Sequence, residues 1–248
     1  MVELTSTQKK ALDIYHNEGH IKAWNYWRLM GNTYCIFLGE VPSNEFIDGE
    51  TLANHIRLTN GVLCNIDTPW LKFILDGNIV YVPMTALMHS VPWDAINECG
   101  AVFENEGATI NVGGKNYDIT LLRGLNRNCI ISGRYYGWDM DFTHTSEWNR
   151  LMYPIHSGIH TDSGNPTVGS VPYAQWATYS DSDLDVGYTS DSGTATWVQE
   201  TQHTNDTKRF TRGSGGVTNA VRIITASAYS GTGWRPALRL KFDSLIIY

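Results

Sequence analysis

Charged residues are scarce in this sequence, and those present do not cluster by sign. Only 17 % of the 248 residues are charged, and the formal net charge is −7. An acidic chain without a run of Lys and Arg is not expected to bind nucleic acid or a membrane surface. Ser, Thr, Asn and Gly must therefore supply much of the polar surface, which suits rigid β proteins that are extracellular or part of a particle.

Long apolar segments are also lacking. The start, Met1–Ser6, has neither the basic residues nor the apolar core of a secretory signal, so we expect no export. Apolar runs such as Cys35–Leu38 are far too short to cross a bilayer. We therefore expect no membrane insertion.

Cysteine is rare and widely spaced. The four residues are Cys35, Cys64, Cys99 and Cys129, and no Cys-x-x-Cys pair is present. This spacing argues against a zinc knuckle. In a chain without an export signal, we expect four reduced and mostly buried thiols.

The stretch Gly233–Leu240 near the C-terminus has the alternation of a half-buried β-strand. One side carries Ala237 and Arg239, and the other carries Leu238 and Leu240. Pro236 has no N–H to donate, which predicts a position at the strand start or on a sheet edge.

The expected partner of this closing strand is Trp70–Leu75 with its continuation Ile79–Val82. The intervening Asp76-Gly77-Asn78 is a strong hairpin signal. This pairing would make residues 69–248 one closed domain.

Other patterns predict short elements elsewhere in the chain. Helices are expected over 6–16, 50–58 (ended by Asn60-Gly61), 92–100 and 146–152, from their caps and apolar faces. Strands are expected over 34–38 (stopped by Gly39 and Pro42), 110–122 around Gly113-Gly114, 194–201, 209–216 with its tight turn, and 221–226.

Residues 1–68 hold dense aromatics but little apolar mass for a core of their own. They are predicted to form an attachment segment that docks on the main domain or on a partner. A simple N-terminal extension of the core is an equally supported alternative.

Residues 153–195 form a long stretch rich in Gly, Ser, Asp and Thr, with aromatic residues set among them. Long irregular stretches in compact domains are usually functional. The candidates for ligand or subunit contact are Trp138, Trp176, Tyr179 and Tyr188. Three carboxylates with alternate spacing, Asp181, Asp183 and Asp185, form a candidate calcium site with Asp191, for which the alternative is a solvated acidic loop.

Five motifs follow one another in a fixed order over residues 110–248. They are Leu121-Leu122-Arg123, Glu147-Trp148, Trp197-Val198, Arg212-Gly213-Ser214-Gly215-Gly216 and Gly233-Trp234-Arg235. Their order resembles the C-type-lectin-like fold, in the variant shared by formylglycine-generating enzymes and phage tail proteins. The resemblance implies an α+β fold with a mixed, mainly antiparallel sheet, two short helices and long loops, here preceded by an N-terminal extension.

The whole chain also resembles a class of tailed-bacteriophage virion proteins. The shared marks are Phe73-(x)2-Asp76-Gly77 with Tyr81-Val82, Trp93-Asp94-(x)-Ile96, Leu121–Gly124, Ser146–Met152 and Gly233–Leu238. The resemblance implies a structural component of the particle (tail fibre, collar, baseplate or capsid decoration), assembled in the bacterial cytoplasm. Its expected partners are other virion proteins and further copies of itself. The alternative is an adhesin that binds a host receptor or surface glycan.

Most of these motif residues are expected to be structural. Trp148, Trp197 and Trp234 are large enough to fill a core between a helix and a sheet. Glu147 and Arg235 are candidates for a buried charge pair that fixes the crossing of helix and sheet.

The sequence does not predict an enzyme. Formylglycine chemistry uses cysteines in the C-terminal part of the domain, and none follows Cys129. Ser146 with His144 and either Asp139 or Asp141 has the residue types of a hydrolase, but the Gly-x-Ser-x-Gly elbow is missing and Ser146 fits a helix cap.

His156 and His160 are four residues apart, yet Pro154 and Gly158 argue against the helix that such a metal pair needs. We expect no cofactor other than the possible calcium ion.

Overall fold

A computed structural model describes residues 36–76, 78–104, 107–124, 146–157, 178–187, 193–202, 205–224 and 228–240. These ranges contain twelve strands, three short α-helices and one 3-10 turn (Ser43–Glu45) in an α+β arrangement dominated by two sheets. No helix within these ranges is long and apolar enough to cross a membrane.

The first sheet has six strands, all antiparallel to their neighbours. In spatial order they are β1 (Ile36–Val41), β3 (Trp70–Leu75), β4 (Asn78–Pro83), β12 (Ala237–Leu240), β7 (Lys115–Thr120) and β6 (Thr109–Val112).

The second sheet also has six strands and is mixed. In spatial order they are β10 (Gly216–Ile224), β9 (Asn205–Gly213), β8 (Ala195–Gln202), β11 (Thr232–Trp234), β5 (Met88–His89) and β2 (Val62–Leu63). Only β11 and β8 pair in parallel. The expected mainly antiparallel pairing is confirmed, but the strands form two sheets rather than one.

Three predicted helices are present, and two of them are capped by side chains. Asp48 accepts a 2.8 Å hydrogen bond from the Thr51 amide at the start of α1 (Gly49–His55). Pro92 precedes α2 (Trp93–Glu98), and Ser146 Oγ accepts from the Asn149 amide at the start of α3 (Glu147–Met152). The predicted helix over 6–16 lies outside the described residues.

Several predicted boundaries are wrong. α1 ends at His55, and the next turn contains Arg57 with a φ of 58°, so the helix stops before Asn60-Gly61. β1 does not stop at Gly39 but runs on to Val41, directly before Pro42, the second predicted stop. Gly39 has a φ of 106° and lies at a register shift, because glycine permits the bulge.

Alternate residues of the first sheet point to two different cores. In β4, Val80 and Val82 belong to the cluster that includes α3, whereas Ile79 and Tyr81 belong to the cluster that includes α1 and α2. The sheet is therefore covered on both faces. This explains why β3 and β4 appear in the sequence as nearly continuous apolar runs.

The closing segment takes part in both sheets. β11 and β12 are separated only by Arg235 and Pro236, so the chain passes directly from the second sheet to the first. Leu238 of β12 pairs with Tyr81 of β4 and Ile119 of β7. The direct partner is thus the predicted continuation strand, and Trp70–Leu75 lies one strand further away.

The described part of the expected attachment segment belongs to the same cores. β1 pairs with β3, Ile36 and Phe37 are fully or almost fully buried in the first cluster, and Leu52 is buried in the second. The packing has no boundary at residue 68. Residues 1–35 lie outside the described ranges.

We expect Trp234→Ala to lower the free energy of unfolding by about 3–5 kcal/mol, because Trp234 is fully buried and its removal leaves a large cavity. Urea unfolding of both proteins measures the difference. Tyr229→Ala is the control, since Tyr229 is 55 % exposed on the preceding loop. Equal unfolding midpoints for Trp234→Ala and the parent chain would contradict the packing of β11.

Candidate functional site

The predicted contact surface is described in part. Residues 155–157 pair with 178–179 through backbone hydrogen bonds. Within this pairing Tyr179 is 7 % exposed, its ring meets Phe37 edge to face at 6.0 Å, and its hydroxyl donates to Glu40 Oε1 at 2.6 Å. Burial and the Glu40 carboxylate raise the pKa of Tyr179. Tyr179 therefore covers the core, which corrects its expected role in ligand or subunit contact.

The other predicted aromatic contacts, Trp138, Trp176 and Tyr188, lie outside the described residues. So do the polar candidates His144, Asp139, Asp141, His160 and Asp191. Their roles stay predictions.

The three aspartates of the predicted calcium site have three different local partners. Asp181 contacts His156 Nε2 at 3.0 Å, and Asp183 accepts from the amide and hydroxyl of Ser180, which lowers the pKa of Asp183. Asp185 acts electrostatically on Arg235. Among the described residues no group of three or more acidic, His or Cys side chains is arranged to hold a metal. Asp191 lies outside these residues, so the calcium site stays a prediction.

The predicted pair of Glu147 and Arg235 is not formed. Glu147 is 1 % exposed and accepts from the Arg123 amide at 2.9 Å, from Arg123 Nη2 at 2.7 Å and from Arg239 Nη2 at 2.6 Å. Burial alone would raise the pKa of Glu147, but the two guanidinium groups outweigh it and the pKa lies below its usual value. Glu147 therefore joins α3 to the end of β7 and to β12.

Arg235 is directed to the other side of α3. Its Nη2 donates to the Leu184 carbonyl at 2.6 Å, and its guanidinium lies 5.7 Å from the centre of the Trp148 ring. Complete burial lowers the pKa of Arg235 to about 10, which leaves it charged at neutral pH. Its expected structural role is thus supported through different contacts.

A second buried arginine was not identified from the sequence as a contact residue. Arg212 is fully buried and donates to the Gly124 carbonyl, to Asn149 Oδ1 and to the Tyr153 hydroxyl at 2.7–2.9 Å. Glu200 accepts from the Gly124 amide at 2.9 Å. The only sequence signal was the position of Arg212 in the Arg-Gly-Ser-Gly-Gly motif, which does not reveal its partners.

These buried groups hold the fold together and do not form a reactive centre. Ser146 is 1 % exposed and acts as the cap of α3. Burial raises the pKa of Cys64 to about 11 and also raises the pKa of Cys99, so both thiols stay protonated at neutral pH. Cys64 and Cys99 are half-buried, where mostly buried thiols were expected, and Cys35 and Cys129 lie outside the described residues.

An open groove of about 550 Å³ lies on the opposite side of the first sheet from α3. One wall is formed by residues 43–55 and the other by the turn of the β6–β7 hairpin. His55 Nε2 lies 2.8 Å from the Thr109 carbonyl and so connects the two walls. The groove was not predicted from the sequence, because its two walls are more than fifty residues apart along the chain.

The groove has an apolar part and several polar groups. Phe46 and Val112 are half-buried, whereas Asn44, His55 and Asn111 are exposed. Such a mixture is usual in binding sites for small polar ligands. Among the described residues it is the clearest candidate for a binding site.

No family model, curated protein or solved structure matches this chain.

We expect Glu147→Gln to cost about 3–5 kcal/mol at pH 7, because it leaves Arg123 and Arg239 without their carboxylate. The pKa of Glu147 is depressed in the folded protein, so its stabilising effect is present above its ordinary pKa of 4.5 and is lost as the pH falls through the lower folded value. The difference between the two proteins should therefore shrink in acid.

Urea unfolding between pH 7 and pH 3 measures this difference. Glu50→Gln, at an exposed position in α1, is the matched control and should change stability little at any pH. A cost for Glu147→Gln that is the same at every pH would contradict the ionised carboxylate.

Proposed function

We propose that this chain is a structural component of a tailed-bacteriophage particle, built on a C-type-lectin-like domain. The observation that carries the proposal is that the motifs behind both resemblances contact one another although they are far apart in sequence. Random short matches would not be expected to meet in space.

The motifs of the lectin-like resemblance meet around α3. Arg123 binds Glu147, as described above, and the indole of Trp148 donates to the Val217 carbonyl, next to the Gly-rich turn, at 2.8 Å. Arg212 and Arg235 both lie within 6 Å of the Trp148 ring. Four of the five motifs thus share one buried site.

One contact joins two motifs of the virion resemblance, and two more connect the segment around its Trp93 motif to the Trp197-Val198 motif. Arg150 in Ser146–Met152 binds the Asp76 carboxylate of the hairpin motif, with Nη1 2.7 Å from Oδ2. The indole of Trp93 donates to the Val198 carbonyl, and the indole of Trp197 donates to the Val91 carbonyl, at 3.0 and 2.7 Å. These contacts support a structural role for the residues that make them.

One feature of the surface supports contact with other virion proteins or further copies of the chain. β2 is the last strand of the second sheet within the described residues, and its Val62 and Leu63 are 51 % and 39 % exposed. A sheet edge with exposed apolar side chains is a typical docking surface.

The second candidate function is an adhesin that binds a receptor or glycan on the host surface. The open groove between α1 and the β6–β7 hairpin favours this function. Under this function, glycan binding would be the main role of the chain. Both functions place the protein on the virion.

We expect a chain without residues 1–35 to stay folded but to be absent from particles, because it keeps β1 and α1 but lacks half of the predicted attachment segment 1–68. A chain without residues 1–68 should unfold, since it also lacks β1 and α1. Circular dichroism reports folding, and mass spectrometry of purified particles reports incorporation.

Normal incorporation of the chain that lacks residues 1–35 would show that the attachment role is wrong. Absence of the full-length chain from purified particles would show that the virion role itself is wrong. The truncation at residue 68 separates loss of folding from loss of attachment.

A further inference from the structure

We infer that the groove between α1 and the β6–β7 hairpin binds a neutral sugar residue, either a hexose or an N-acetylhexosamine. The inference goes beyond the proposed particle role and rests on the second candidate function, which it deepens by naming the class of sugar that the groove would take. Sugar binding alone would leave the particle role undecided, and incorporation alone would leave the groove undecided.

The size and the apolar part of the groove fit a sugar ring. Its volume of about 550 Å³ falls within the range of about 300–1,000 Å³ that is usual for small-molecule sites. Phe46 is fixed in place because its ring stacks on Tyr81 at 4.2 Å and meets Trp70 and Tyr117 edge to face at 5.4 Å. A rigid aromatic surface of this kind packs against the C–H groups of a sugar at little entropic cost.

The polar groups match hydroxyls, which both donate and accept. The exposed carboxamide of Asn44 offers a donor and an acceptor, and it has no hydrogen-bond partner among the described residues. His55 Nε2 faces the Thr109 carbonyl oxygen, which only accepts, so Nε2 is the donor of this pair and Nδ1 is the ring nitrogen left for a ligand. Hydroxyl groups can satisfy all of these positions.

The charge of the groove disfavours acidic ligands. Asp48 is the only acidic residue among the described residues that line it, and neither Lys nor Arg is among them. Both Asp48 oxygens accept from Thr51, at 2.8 and 2.7 Å, and the carboxylate stays ionised at neutral pH. A uronic acid or a phosphorylated ligand would meet this negative charge without a compensating cation.

The test is a chemical-shift titration of the ¹⁵N-labelled full-length chain with glucose, galactose, N-acetylglucosamine and glucuronic acid. Glucose and glucuronic acid form a matched pair, because they differ only at C6, where a hydroxymethyl group is replaced by a carboxylate. We expect saturable shifts at millimolar concentrations for at least one neutral sugar, centred on residues 44–55 and 110–113. Glucuronic acid should bind more weakly than glucose.

Two variants and a control connect the binding to the groove. Asn44→Ala should weaken binding by about three- to ten-fold, since it removes one or two hydrogen bonds. Asn54→Ala is the matched control, because Asn54 is exposed on α1 but does not line the groove. Asp48→Asn keeps a side chain that can cap α1 and should reduce the discrimination between glucose and glucuronic acid.

Three results would overturn the inference. The first is the absence of saturable shifts with all three neutral sugars. The second is binding that Asn44→Ala and Asn54→Ala affect equally while both variants unfold at the parent midpoint. The third is glucuronic acid binding as tightly as glucose to the parent chain.

Discussion

A single short segment must serve both sheets, and the rest of the architecture depends on this constraint. β11 lies in the second sheet and β12 in the first, with two residues between them. β11 passes close to Gly193, which lies just before β8. This approach requires glycine, because a Cβ on Gly233 would clash with the Gly193 carbonyl oxygen. Trp234 and Arg235 then fill the space on either side of the crossing, so the two sheets are fixed relative to each other through contiguous residues.

Buried charges fix the position of α3 against this crossing. Glu147 contacts Arg123 and Arg239 on one side, while Arg212 contacts the same helix through Asn149 and Tyr153. Buried ionic groups of this kind are costly to desolvate and tend to contribute more to a unique arrangement than to net stability. These groups have partners within the fold. Among the described residues, the groove and the exposed edge of β2 are the features that a ligand or neighbouring protein would meet.

The proposed functions use the surface of the protein, whereas the contacts described above stabilise its interior. A body stabilised by internal contacts can present a groove or a sheet edge without changing its fold, which is what a particle component or an adhesin requires. The groove is formed by a helix from the early part of the chain and a hairpin from the first sheet. Its aromatic floor, Phe46, is held by the same core that contains Tyr81 and Tyr117, so the fold itself positions the candidate site.

Short-range patterns in the sequence were enough to predict individual strands and helix caps. The alternation in β12, the Asp48 and Ser146 caps and the hairpin that includes Asp76 depend on residues only a few positions apart. Long-range packing sets three further features: the strands form two sheets, Glu147 pairs with Arg123 and Arg239, and Tyr179 is buried. These outcomes depend on contacts between residues tens of positions apart. Several arginines were equally suitable partners by type, and only packing places one guanidinium within reach of a given carboxylate.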